Sequence, residues 1–212
     1  MKNRTHGYLP LIFCLISFFI SSCNKESGPT TVNGTVRDVT TNSGVADAEV
    51  GLFETDGESA FGLGGVLMEE KYSDASGDFA FNFTARQGYQ YYVQAIKDQY
   101  WNNQTDNITF VDNTGGKTDV TVFLQPEGWL ELHIKNEPPM SSFDVLTMGV
   151  ILNGDYPNLY GADVDTIICC FLVMGNTDNR IVWFVDEGYG DTSYFEYVYC
   201  NPFDTTYYEI LY

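Results

Sequence analysis

The chain has 212 residues, 44% of them apolar and 16% aromatic, which is enough to build a core and excludes a disordered polymer. Its 29 acidic residues outweigh 10 basic ones, and the formal charge of −19 repels phosphate backbones, so nucleic acid is excluded as a partner. The acids are scattered and form no long block, the mark of a solvated surface and not of an acidic tail.

Met1-Lys2-Asn3-Arg4 carries two cations and no acid, and Leu11 to Ile20 is an almost unbroken apolar run. A basic head, a short apolar middle and a small-residue exit define a secretory signal. The run is shorter than the roughly 20 residues that cross a bilayer as a helix. The exit, Ile20-Ser21-Ser22-Cys23, resembles the lipobox of bacterial lipoproteins: an aliphatic residue, two small ones and the cysteine that is acylated. The resemblance implies that residues 1–22 are removed, that Cys23 becomes a lipidated N-terminus and that residues 23–30 form a tether. The membrane is then a partner through the anchor, since two or more acyl chains hold where one does not. Asn24 is not the aspartate associated with inner-membrane retention, so the expected address is the outer membrane. Lys25-Glu26 resembles surface-export signals of some lipoproteins. Loss of Lys2 and Arg4 with the signal leaves 8 basic against 29 acidic residues, a charge of −21.

Beyond the tether, two-residue alternation dominates. Strands are expected over 32–37, 48–53, 68–72, 78–84, 89–97, 107–111 and 119–124. In 78–84, Phe79, Phe81 and Phe83 share one face. Gln125-Pro126-Glu127-Gly128 then breaks the pattern, because proline cannot donate to a ladder and glycine frees the backbone. Further strands are expected over 129–135, 145–152, 166–174, 180–185, 194–200 and 206–211. In 129–135, Leu130, Leu132 and Ile134 face inward, with Glu131, His133 and Lys135 outward. No segment sustains the spacing of an amphipathic helix. The fold class is all-β, two small β-sandwich-like domains at 31–126 and 127–212.

Three segments in order, Gly34-Thr35-Val36, Gly44-Val45-Ala46-Asp47-Ala48-Glu49-Val50 and Asp74-Ala75-Ser76-Gly77-Asp78-Phe79, resemble the carboxypeptidase regulatory-like family, a relative of transthyretin-like and starch-binding-like sandwiches. Tyr89 to Ala95 and Val120 to Leu124 resemble the strands that close that fold. Residues 54–67, with Gly57, Gly62, Gly64 and Gly65, depart from it as a loop insertion. The family name describes a domain that accompanies enzymes and is not itself a peptidase. Physically, Gly77 sits where a tight turn needs positive φ, and Asp74 can cap that turn. The second domain resembles no family.

Little in the sequence points to catalysis. His6 leaves with the signal and His133 stands on the polar face of a strand, without the oriented partners of a Ser-His-Asp or Cys-His site. No zinc spacing occurs, and Asp74 to Asp78 lacks the full ligand series of a calcium loop. With 29 acids, no carboxylate pair can be singled out. The chain is therefore expected to be non-enzymatic, without cofactor or metal, and to act as a structural or interaction module on a protein partner. A polysaccharide is the alternative ligand, through Tyr100 and Trp101 in the amide-rich loop Tyr100-Trp101-Asn102-Asn103-Gln104, since exposed rings beside amides stack sugars. Trp129 and Trp183 lie on strands and are expected to pack.

Export places Cys169, Cys170 and Cys200 where disulfides persist. Adjacent strand residues point to opposite faces, so at most one of Cys169 and Cys170 can meet Cys200. The residues leave open a bridge from Cys200 to either one, or three reduced and buried thiols.

Overall fold

A computed structural model of the chain describes residues 27–56, 64–102, 107–137, 145–150, 157–186 and 191–212. The signal segment, Cys23 and Lys25-Glu26 lie outside the described residues, as do 57–63 of the insertion and Asn103-Gln104. Every regular element among the described residues is a strand. The first half contains β1 (Gly28–Asp38), β2 (Glu49–Thr55), β3 (Val66–Tyr72), β4 (Asp78–Ala85), β5 (Gln90–Ile96), β6 (Ile108–Phe110) and β7 (Lys117–Leu124). The second contains β8 (Glu127–Lys135), β9 (Val145–Val150), β10 (Asn158–Tyr160), β11 (Asp165–Met174), β12 (Thr177–Asp186), β13 (Asp191–Cys200) and β14 (Thr205–Leu211).

Strands β4-β1-β7 form one sheet of the first half and β3-β2-β5-β6 the other. β1 runs antiparallel to β4 and parallel to β7. Alternation drives the packing. Val32 and Val36 of β1, Phe79 and Phe81 of β4, and Val120, Val122 and Leu124 of β7 meet Val50, Leu52, Tyr91, Val93 and Ala95 of the opposing sheet. Phe83 packs on the rim of that core, so the three phenylalanines do share a face. The turn before β4 forms as its residues require. The Asp74 carboxylate accepts from the Ser76 and Asp78 amides at 2.8 and 2.9 Å. Gly77 takes φ +84, and its carbonyl accepts the Val36 amide at 2.8 Å. Asp74 is thereby engaged as a cap, and among the described residues no group of three or more His, Cys, Asp or Glu is arranged to hold a metal.

Strands β10-β9-β12-β13 and β11-β8-β14 form the sheets of the second half, with β14 parallel to β8. Leu130, Leu132 and Ile134 of β8 are fully buried against Leu146, Phe171, Val173, Ile181, Val198 and Ile210. Trp183 joins this core and stacks on Tyr194 at 5.7 Å, whereas Trp129 is half-buried on the outer face of β8. β10 is too short to show a sequence pattern.

Between Ile168, which pairs with Leu132, and Phe171, which pairs with Leu130, two residues of β11 oppose Glu131 alone. This β-bulge carries Cys169 and Cys170, with Cys170 at φ +77. It keeps Ile168 and Phe171 both facing the core although they are three residues apart and of opposite parity.

Candidate functional site

β7 ends at Leu124 and β8 begins at Glu127, in different sheets, so the halves are joined by Gln125-Pro126 alone. That short link is enclosed by hydrogen bonds from both sides. The Trp101 amide donates to the Gln125 carbonyl at 2.9 Å, the Glu127 amide to Gln99 at 2.8 Å and the Gly175 amide to Pro126 at 2.8 Å. The Gln125 side chain donates to the Gly175 carbonyl at 2.9 Å, and the Trp101 indole N–H to the Val173 carbonyl at 3.3 Å.

A second chain of polar contacts runs beside the link. The Tyr100 hydroxyl lies 3.4 Å from Asp38 Oδ2, while Asp38 Oδ1 accepts from the Thr40 hydroxyl at 2.6 Å. The Asn176 amide donates to the Thr40 hydroxyl oxygen at 2.7 Å, and the Tyr199 hydroxyl donates to Asn176 Oδ1. Burial would raise the pKa of Asp38, but donation from Thr40 and the Thr41 amide outweighs it and holds the carboxyl below its ordinary range. Burial, with Asp38 close by, pushes the Tyr100 phenol up to about 12, so it stays a donor at any physiological pH. The Tyr100 ring meets Phe203 edge-on at 5.3 Å.

Tyr100 also lines a cleft of about 690 Å³ with Asp47, Glu49, Tyr72, Asp98 and Glu127. Burial raises the pKa of Glu127, and Asp98 raises it further; burial and the neighbouring Glu70 do the same for Glu49. Lys97 lines the same cleft, whose carboxylates can accept hydrogen bonds from hydroxyl or ammonium groups. Trp101, expected to share an exposed platform with Tyr100, donates its indole N–H to the Val173 carbonyl, and both rings are partly exposed.

The cysteines correct the expectation of a bridge from Cys200. Cys169 and Cys170 are bonded to each other, and Cys200 is a free, fully buried thiol. The bulge is the physical reason. It turns both Cys169 and Cys170 outward on β11, away from the core that Cys200 enters from β13. Cys200 lies 3.6 Å from the Val198 carbonyl, and burial raises its pKa.

His133 faces outward, as its alternation requires, and is enclosed by partners from both flanking strands. Its Nε2 lies 2.6 Å from Asp165 on β11 and its Nδ1 3.0 Å from Glu209 on β14, with the Tyr207 hydroxyl 2.9 Å from the same Nδ1. Hydrogen bonding to Asp165 is the main reason the imidazole pKa is raised. The sequence hid this cluster because its members lie 32 and 76 positions apart.

No family model and no curated protein matches the chain. Among solved structures it is similar to the minor pilin of Streptococcus agalactiae, with 13% identity and TM-score 0.39 over 87% of this chain and 95% of that one. It is similar to the major pilin subunit of Bacillus cereus, with 13% identity and TM-score 0.37 over 82% and 69%. It is also similar to the Bacillus anthracis TIE protein, with 12% identity and TM-score 0.38 over 87% and 34%, so the chain spans about a third of that protein. At these scores the all-β assignment rests on the strands described above.

Proposed function

We propose that this chain is a non-enzymatic envelope lipoprotein, a structural or interaction module tethered through Cys23 at the outer membrane or cell surface. It is built from two domains, 31–126 and 127–212, the first of the carboxypeptidase regulatory-like kind. The observation that carries this reading is the junction. Tyr100, Trp101, Asp38, Thr40, Asn176 and Gln125 are engaged in holding one half to the other, which suits a strut that presents surfaces at a fixed spacing. The lipobox residues Ile20 to Cys23 supply the anchor. Metabolic labelling with a fatty-acid probe, followed by membrane fractionation, tests it. The wild type is expected to be labelled and sedimentable, and Cys23→Ala unlabelled and either released or retained as precursor. Equal labelling of the two would overturn the anchor.

A second reading, a carbohydrate-binding accessory, is favoured by the cleft in which Tyr100 and the exposed Tyr72 stand beside Glu49 and Glu127. Its test is a polysaccharide panel with the wild type, Tyr72→Ala and Trp101→Ala. On this reading binding is retained by Trp101→Ala and lost by Tyr72→Ala.

A further inference from the structure

Four sheets leave eight strand edges among the described residues, and most of them are blunted. β6 and β10 are only three residues long. β3 and β11 are bulged. The Lys71 ammonium donates to the Ala80 carbonyl of β4, and the Thr109 hydroxyl to the Thr121 carbonyl of β7. β14 has seven residues. β13 differs from all of these. It has ten residues, pairs with β12 from Asp191 to Cys200 without a register shift, and contains no proline, lysine or arginine. Apart from Asp191 at its start it carries one charge, Glu196, and a long, regular edge of this kind is a template for another strand.

Its side chains suit the same purpose. Phe195, Tyr197 and Tyr199 alternate on the outer face and are 56%, 59% and 50% exposed, with the exposed Phe184 on the neighbouring strand. The Arg180 guanidinium lies over the Phe195 ring at 4.6 Å. Phe195 and Tyr197 meet at an interplanar angle of 85°, which is not the coplanar platform that stacks a sugar chain. Aromatic residues with an arginine at a flat edge match the composition of protein interfaces.

We propose that β13 pairs antiparallel with β13 of a second copy of this chain, about a two-fold axis at Tyr197, joining two four-stranded sheets into one of eight strands. Residues directly opposite in an antiparallel pair share a face, so the two numbers of each pair must add to an even total. An axis at Glu196 would set that carboxylate against itself, which is destabilising. An axis at Phe195 would place Tyr199 against Asp191, and one at Val198 would place Phe195 against Asn201, past the strand end. The axis at Tyr197 alone pairs each of the three outer-face rings with another: Phe195 with Tyr199, Tyr197 with Tyr197, and Tyr199 with Phe195. It also sets Glu196 opposite Val198 and so separates the two carboxylates. Cross-strand aromatic pairs of this kind are the stabilising unit of a sheet. The interface is isologous and closes after two copies. Half-exposed rings offer roughly 100 Å² each, so the contact is smaller than the roughly 800 Å² per partner of a tight complex and the dimer should dissociate in the micromolar range. Because each copy is strongly acidic, salt should strengthen the association by screening.

This inference names the partner within the interaction-module reading but is independent of the anchor, because the chain from Asn24 lacks the acylated cysteine and retains every described residue. Sedimentation equilibrium of that chain across micromolar concentrations is expected to show a monomer–dimer equilibrium that tightens with salt. Tyr197→Lys should weaken it at least tenfold, and Phe123→Lys, on an edge of the other half, should not change it. Register is read by mild oxidation. Tyr197→Cys should link to itself. Phe195→Cys and Tyr199→Cys should each fail to self-link, since their symmetry mates lie about 13 Å away along the strand, yet should link when mixed. All four substituted side chains are exposed, and a retained cooperative melting transition confirms folding. A monomer at every concentration would overturn the proposal. So would a dimer indifferent to Tyr197→Lys, self-linking of Phe195→Cys, or a glycan bound at this face by a monomer.

Discussion

The Asn176 side-chain amide donates to the Thr40 hydroxyl oxygen at 2.7 Å, a contact between residues 136 positions apart that ties the turn after β1 to the turn between β11 and β12. Asn176 holds φ +58, in the left-handed region that asparagine tolerates better than most residues. Backbone and side chain therefore make separable contributions. Asn176→Gly removes both side-chain hydrogen bonds, the one to Thr40 and the one from Tyr199, without left-handed strain and should lose about 1–2 kcal/mol of unfolding free energy. Asn176→Ala should lose a further 1–2 kcal/mol or so from left-handed strain. Urea denaturation of the two variants checks this. A glycine variant as stable as the wild type would show that the contacts contribute nothing.

Gly77 and Gly88 make a matched pair for the first half. Both have positive φ, +84 and +88. A Cβ at Gly77 would lie 2.5 Å from the Val36 carbonyl oxygen and 2.9 Å from the Val45 amide nitrogen, whereas one at Gly88 would meet nothing within 4 Å. Gly88→Ala should cost about 1 kcal/mol from backbone strain alone. Gly77→Ala should cost about 2–4 kcal/mol, because overpacking against fixed backbone is added to that strain. Equal destabilisation in chemical denaturation would refute the steric argument.

Local periodicity made much of the architecture legible. Phe79, Phe81 and Phe83, and Leu130, Leu132 and Ile134, announce their faces directly, and Asp74 with Gly77 announces the turn. The parallel pairings β1–β7 and β8–β14 join segments whose local patterns carry no record of their partners. The bulge was readable in principle, since Ile168 and Phe171 have opposite parity and both are apolar, but an apolar run does not show where parity changes. For the candidate site, Tyr100 and Trp101 stood out as residue types, yet what they do is decided by Asp38, Val173 and Phe203, on strands and a turn far away in sequence. The aromatic face of β13 was written in the alternation of Phe195, Tyr197 and Tyr199, but that alternation does not tell an inner face from an outer one.

The vicinal bridge makes a stoichiometric prediction. The chain from Asn24 contains three cysteines, Cys169, Cys170 and Cys200. Denatured without reductant it should yield one reactive thiol, that of Cys200, and after reduction three. Intact mass should fall by two hydrogens relative to the reduced chain, and a proteolytic peptide spanning 169–170 should carry the whole difference. Three thiols before reduction, or a link to Cys200, would contradict the arrangement described. Native protein should show no reactive thiol, because Cys200 is fully buried and its burial disfavours the thiolate.

The last prediction concerns the pH dependence of the sheet around His133. The imidazole sits on central β8 and faces Asp165 on one neighbouring strand and Glu209 on the other, with Tyr207 and Lys135 also close by. Its pKa is raised, chiefly by hydrogen bonding to Asp165, and that of Asp165 is lowered by the same contact. A histidine with a raised folded pKa contributes its full stability below the unfolded value of about 6.5 and loses it as pH rises through the folded value. An aspartate with a lowered folded pKa contributes above its unfolded value of about 3.9 and loses that as pH falls through the folded one. The cluster should therefore support the sheet most strongly between about pH 4 and 6.5 and weaken on either side. The chain from Asn24 contains a single histidine, so one imidazole resonance reports the titration without assignment. In the wild type it should titrate above 6.5. Asp165→Asn should move it down further than Glu209→Gln, because the Asp165 contact is the larger influence. The stability lost on raising the pH from 6 to 8 should shrink in Asp165→Asn. A wild-type resonance that titrates at or below 6.5, or a larger shift from Glu209→Gln, would show that the carboxylates do not hold the proton on His133.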